Sequence, residues 1–281
     1  MVPVAPATLP PAPPRWRWPP LVGASVGAHA LALGAAAFVP GAAPWALAGV
    51  LADHALLAGV GLWPRSRGLG PNLSRLPAAA GNTFALTLDD GPDPATTPAV
   101  LDLLDAHGVR ASFFCIAERA RAHPALLREI VARGHSVQNH SFVHRHHFSL
   151  LGPRALAREI GAAQELLADL SGTCPHCFRA PAGLRNPFLD PVLHRLNLNL
   201  VSWTRRGFDT REPDPQRVLA RLTRGLAAGD ILLLHDGNAR RGADGRPVLL
   251  DVLPPLLARC RAAGLRALTL AEAVPLRHAG R

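Results

Sequence analysis

Two short stretches of this sequence carry side chains that could hold a metal ion and move a proton. His140-Ser141-Phe142-Val143-His144 sets two imidazoles four residues apart, a spacing that on one helical turn presents both to the same ion. Upstream, Thr87-Leu88-Asp89-Asp90-Gly91-Pro92 runs an apolar segment into two adjacent carboxylates and a turn. Side chains of adjacent residues leaving a strand diverge, so one carboxylate can reach a metal while its neighbour reaches a water. On its own, Asp-Asp-Gly-Pro is equally a good turn sequence. One carboxylate and two imidazoles leave a position of a tetrahedral ion open, the pattern of catalytic rather than structural zinc. His146 and His147 follow directly and read as loop or surface residues rather than ligands.

Three further clusters could serve the same chemistry. Phe178-Arg179-Ala180-Pro181-Ala182-Gly183 offers an Arg at a strand end and a rigid turn whose backbone N–H groups could face an oxyanion. Trp203-Thr204-Arg205-Arg206-Gly207-Phe208-Asp209 brings an aromatic wall and one carboxylate. Ile231-Leu232-Leu233-Leu234-His235-Asp236 ends a fully apolar run in a His, where desolvation is costly and function a better explanation than accident.

The elements that must position these clusters alternate between short apolar runs and amphipathic ones. Expected strands are 84–88, 111–116, 136–139, 177–179, 198–203, 231–234 and 266–270. Expected helices are 97–107, 124–133, 153–170, 187–195, 215–228 and 248–263, most opened by Pro or a polar cap and several closed by Gly. This is the α/β signature of a parallel sheet, here a distorted (β/α)7-type barrel. The polar clusters fall at the C-terminal ends of the strands, where barrel enzymes assemble their sites.

In order and spacing the five clusters resemble the five motifs of the polysaccharide deacetylase family, also called the NodB-homology or carbohydrate esterase family 4 domain, over residues 82–275. The resemblance implies metal-dependent hydrolysis of an N-acetyl group on a carbohydrate. Asp90, His140 and His144 would bind a divalent ion, zinc or cobalt among the candidates, with Asp89 the general base and Arg179 holding it. The backbone N–H of Ala182 would stabilise the oxyanion, His235 would protonate the departing amine, and Asp209 would orient His235. Trp203, Leu233 and Pro181 would line the substrate pocket. Ala182 stands where the family often has an aromatic residue, and Arg206 and Thr210 replace the first Asp and the Trp of the usual fourth motif. The pair Arg205-Arg206 is either a solvated loop or a subsite for an anionic substrate such as a phosphate-linked sugar, since Arg pairs bidentately with phosphate. A deformylase or deacetylase of a lipid-linked sugar is therefore a second reading. A catalytically dead carbohydrate-binding homologue is a third, and it is disfavoured because such proteins typically lose a ligand or the base.

The chain of 281 residues can hold a large domain and an appendage. Residues 1–80 read as a Pro-rich leader and a membrane hairpin with spans at 21–39 and 43–63, joined at Pro40-Gly41; 81–275 form the catalytic domain and 276–281 a tail. Each span approaches the length needed to cross about 30 Å of hydrocarbon, although His29, Asp53 and His54 are expensive there unless they face each other or protein. Arg15 and Arg17 before the hairpin and Arg65, Arg67 and Arg75 after it put both flanks in the cytoplasm of a bacterial inner membrane. The net charge of +10 comes from 30 basic residues that are all Arg. Together with abundant Ala and Pro this reads as a compositional bias, and without basic–aromatic interleaving it predicts no nucleic-acid partner. Cys174-Pro-His-Cys177 lies after a helix-like run rather than between a strand and a helix, so it reads as a loop with two thiols rather than a redox motif.

Overall fold

The computed structural model describes residues 14–278; most of the Pro-rich leader and the end of the tail lie outside them. The element order is α1 Pro20–Phe38, α2 Ala43–Leu62, β1 Thr83–Asp89, α3 Thr97–Ala106, β2 Ser112–Cys115, α4 Ala117–Ala122, α5 Pro124–Ala132 and β3 Ser136–Asn139. It continues α6 Pro153–Ser171, β4 Cys177–Phe178, α7 Leu189–Arg195, β5 Asn199–Leu200, β6 Arg205–Arg206, α8 Pro215–Thr223, β7 Ile231–His235, α9 Val248–Ala262, β8 Arg266–Ala267 and α10 Leu270–Ala273.

All strand pairs are parallel, in the order β5-β4-β3-β2-β1-β7-β6, with β8 also on β1. β1 and β7 are buried along their whole length, which explains why their sequences run apolar without alternation: helices cover the outer face and the barrel interior fills the inner one. Proline in the first turn opens α3, α5, α6 and α8, where its missing N–H forfeits no bond and its φ is already helical. The barrel does not close directly. Between β5 and β6 the chain around Leu73 fills the gap, its N–H donating to Leu200 O at 2.9 Å and its carbonyl accepting from Ser202 N at 2.8 Å.

Two expectations change. His140 to His144 is a bent loop, not a helical turn. Ser141 and His144 have φ of 68° and 53°, and local bonds fold the loop: Ser141 N donates to Asn139 Oδ1 at 2.9 Å and His144 N to Ser141 Oγ at 3.1 Å. Side chains of Asn and Ser commonly compete in this way with regular secondary structure. Arg205–Arg206, expected as a loop, is a two-residue strand registered on Leu232 and Leu233.

α1 and α2 pack on each other and are otherwise exposed, with only Ser25 and Gly61 buried; large apolar side chains such as Leu31, Leu33, Trp45, Leu47 and Leu51 face outward. Both helices are long and apolar enough to cross a membrane. The far end of α2 is joined to the barrel. Gly61 O accepts from Arg185 N at 3.2 Å, and a side chain on Gly61 would overlap the Arg185 carbonyl. Next along the chain, Pro64 O accepts from Asn72 Nδ2 at 2.9 Å and Ser202 Oγ at 2.6 Å. The Pro64 ring lies against Gly183, whose left-handed φ of 75° leaves no room for a Cβ between Pro64 and Trp203.

Candidate metal centre and acid–base pairs

β1 ends in Asp89, still in the sheet, followed by Asp90 in a left-handed conformation with φ 73°. This change of backbone direction separates the two carboxylates. Asp90 Oδ1 lies 3.2 Å from His140 Nε2 and 3.4 Å from His144 Nε2, while Asp90 Oδ2 accepts from Asn238 Nδ2 at 3.0 Å. Burial works against ionising Asp90, but the adjacent imidazole of His140, with His235 and His144 beyond it, holds its carboxyl well below the usual range. His140 Nδ1 bonds to Arg179 O at 2.8 Å, which fixes the tautomer and leaves Nε2 for a ligand, the arrangement typical of metal-binding imidazoles. Asp90 Oδ1 is buried with no hydrogen-bond partner. An orphaned carboxylate oxygen between two available imidazole nitrogens is what a divalent cation would satisfy, so these residues fit a metal.

Asp89 takes a different partner. Its Oδ1 accepts from Arg179 Nη1 at 2.6 Å, and its Oδ2 is 3.8 Å from His140 Nε2. Arg179 is fully buried and every contact holds it in place: Nη1 also reaches Thr87 Oγ1 at 2.9 Å, Nε reaches Val201 O at 3.2 Å and Nη2 reaches Ser202 O at 2.8 Å. Its guanidinium carbon stands 4.1 Å from the centre of the Phe114 ring.

His235 ends β7 directly beside Asp89 in the register. Asp209, fully buried, takes both His235 Nδ1 and His235 N at 2.8 Å, so Nε2 is the free nitrogen. Burial disfavours the imidazolium, yet the charge and hydrogen bond of Asp209, followed by Asp89 and Asp90, raise the pKa of His235 above its ordinary value.

These groups surround a pocket of about 280 Å³ whose walls include Asp89, Asp90, His140, His144, Ala182, Trp203, Leu233, His235 and Arg206. His146 and Thr210 also line it. Ala182 sits at the tip of the turn with φ 54°. Pro181 is buried in that turn and is not among the residues that line the pocket, which departs from the expectation that it would. The two arginines of the fourth cluster separate, because adjacent strand residues point to opposite faces. Arg205 turns away, pairing with Asp230 at 2.5 Å and bonding to Arg224 O and Gly225 O, so the expectation of a substrate role for it is corrected to a structural one. Arg206 faces the pocket between the rings of Trp203 and Phe208, at 5.2 and 5.0 Å, its Nε buried without a partner.

Sequence reasoning missed Asn238 and Arg119. Arg119 donates to Asp90 O at 2.8 Å and to Asn238 Oδ1 at 3.1 Å, orienting the amide that holds Asp90. The run His235-Asp236-Gly237-Asn238 held a signal for the first, a polar string continuing past a functional strand end; Arg119, far away in sequence, left none. Cys174 and Cys177 are unpaired, one exposed and one buried in β4. Burial pushes the Cys177 thiol up, which makes it an inert core residue.

Comparison with known proteins gives this geometry a family. The model of the polysaccharide deacetylase family matches residues 78–201. A chitooligosaccharide deacetylase of Azorhizobium caulinodans is 33% identical over 157 residues, 56% of this chain and 74% of that protein. A peptidoglycan-N-acetylglucosamine deacetylase of Bacillus cereus is 29% identical over 197 residues, 69% of this chain and 89% of the other. Among solved structures, a family 4 carbohydrate esterase from Streptomyces lividans in complex with acetate superposes with a TM-score of 0.60 at 29% identity, covering 66% of this chain and 92% of that one. The barrel, its five strand-end clusters and these relatives agree, and the chain belongs to the polysaccharide deacetylase family.

Proposed function

We propose that the site removes the acetyl group from an N-acetylated amino sugar with the help of a divalent ion, zinc or cobalt suiting its ligands. The observation that carries this reading is the grouping, around one pocket, of the Asp90–His140–His144 set with an arginine-held carboxylate and an aspartate-held imidazole. The ion would be held by Asp90, His140 and His144 and would supply Lewis acidity to the amide carbonyl and a lowered pKa to the attacking water. Asp89, fixed on one oxygen by Arg179, takes the proton from that water. The Ala182 N–H donates to the carbonyl oxygen as it gains charge, and Leu233 and Trp203 enclose the methyl group. His235 Nε2 gives its proton to the leaving amine, while Asp209 on Nδ1 stabilises the imidazolium. The named relatives act on chitooligosaccharide and peptidoglycan N-acetylglucosamine, which supports this substrate class. The test is release of primary amine from N-acetylated oligosaccharides by the purified full chain, lost on chelation and restored by zinc or cobalt. No amine release with any divalent ion would sink it.

One specific pair of observations favours a second reading, in which the sugar is lipid- or phosphate-linked and is met at the cytoplasmic membrane face. The apolar hairpin ends against the pocket wall through Pro64, Gly183 and Trp203, and Arg206 brings to the pocket a cation with no carboxylate within ion-pair distance among the described residues. An acetamido sugar on a polyprenyl phosphate, in vesicles, should then have a higher kcat/KM than the free oligosaccharide. The preference should disappear in Arg206→Gln; equal rates for the two substrates would count against this reading. Reporter fusions after Arg75 test the orientation. Against an inactive carbohydrate-binding homologue stands the retention of base, acid and all three candidate ligands.

The acid role of His235 has a pH signature. Its raised pKa keeps the imidazolium to higher pH than a free histidine, and the proton is lost as pH rises through that raised value. Asp209→Asn removes the leading cause that raises it, so the alkaline limb of kcat/KM should move to lower pH and the rate above neutrality should fall. A limb left in place would remove His235 from the acid role.

A further inference from the structure

The hairpin carries a polar cluster that the catalytic reading does not use. His29 lies midway along α1, and Asp53 and His54 midway along α2. Ser25 Oγ crosses from α1 to donate to Asp53 Oδ2 at 2.6 Å, and His29 Nδ1 is 3.7 Å from the same oxygen. The two imidazole rings meet edge to face with centroids 5.0 Å apart. His29, Asp53 and His54 can each offer one ligand atom such that all lie within 4.8 Å of one another.

We propose that His29, Asp53 and His54 form a second divalent-cation site, of the zinc, nickel or copper class, that clasps the two hairpin helices. Three features support a cation over a solvated polar patch. First, both imidazoles are already oriented: His29 Nδ1 lies on Ser25 O and His54 Nδ1 on Val50 O, each at 2.8 Å. Their Nδ1–H groups therefore satisfy backbone carbonyls and Nε2 is left as the electron donor, the arrangement His140 has in the catalytic pocket. Second, among the described residues Asp53 has no Arg within ion-pair distance, its neighbour being His29. In a chain with 30 Arg, none lies between residues 20 and 63, and there is no Lys. A carboxylate on an apolar hairpin with only two imidazoles and a hydroxyl beside it is an expensive arrangement without a cation. Third, the donors are one carboxylate and two imidazoles, a set that zinc, nickel and copper bind in preference to calcium or magnesium. With donors on both helices, binding would join α1 to α2 and make hairpin stability metal-dependent.

The site is independent of the deacetylase reading, and the test separates them. Full-length protein in nanodiscs is equilibrated with cobalt or zinc, desalted, and its metal counted by mass spectrometry, with the visible bands of cobalt reporting coordination. The expected result is two ions per chain in the wild type and one in the paired variant His29→Ala, His54→Ala. The paired catalytic variant Asp90→Asn, His140→Ala, which leaves the hairpin untouched, should retain one ion whose cobalt spectrum disappears on adding Asp53→Asn. A count that the hairpin substitutions leave unchanged overturns the proposal. So does a catalytic-site variant that binds no ion while its hairpin remains helical.

Discussion

Replacing Asp89 with Asn is expected to lower kcat/KM for amide hydrolysis by roughly 10²- to 10⁴-fold, the range a positioned general base supplies, without changing the uptake of divalent ion by the proposed Asp90–His140–His144 set. Asn keeps the size of the side chain and an oxygen that can still accept from Arg179, so the cluster around Arg179 survives. It removes the only property the base needs, a carboxylate able to take a proton. Asp90, with its Oδ1 between two imidazoles and its Oδ2 on Asn238, is committed elsewhere and cannot substitute. Activity of the Asn variant within threefold of wild type, with equal metal content, would assign the base to another group.

The second large effect is on stability. Arg179→Met should destabilise the barrel by about 3–5 kcal/mol, because it leaves the buried Asp89 carboxylate without its counter-charge. It also strips donors from Thr87, Val201 and Ser202, three positions on two different parts of the barrel wall. In a domain of this size each kcal/mol moves the thermal midpoint by roughly 2–4 °C, so the loss is measurable by heating alone. Arg179→Lys should fall between the two, since an ammonium cannot span four acceptors from one position. A Met variant as stable as wild type would mean that the contact between Arg179 and Asp89 contributes nothing to folding.

Much of this was legible in the sequence because barrels put polar residues where apolar strands stop. Residues 136–139 were bounded as the structure has them, and the ends of β1 and β7 gave Asp89, Asp90 and His235 directly. Distances in sequence did not hide the pairing of His235 with Asp209 or of Arg179 with Asp89, since the motif resemblance supplied both. What stayed hidden was set by backbone signs and by remote partners. The four-residue spacing of His140 and His144 matches a helical turn by coincidence; the real geometry comes from two left-handed residues and the short side chains of Asn139 and Ser141, which no periodicity encodes. Arg205 and Arg206 read as one patch because charge in a row suggests solvent, yet pairing with β7 made them a strand and sent them to opposite sides. The Asp230 that takes Arg205 lies 25 residues onward, beyond any local signal.

The contact between Pro64 and the Gly183 turn has a practical consequence for anyone purifying this protein. Clipping off the greasy first quarter of the chain is the ordinary remedy for poor solubility, and a version beginning at residue 66 would keep every proton-transfer group and the Asp90–His140–His144 set. It would also lose the proline ring that backs the turn carrying Ala182 and the carbonyl that fixes Asn72 and Ser202. A feeble assay from such a shortened protein would then report a missing buttress rather than missing chemistry, so the intact chain, kept in detergent or lipid, is the proper reference for every activity measurement.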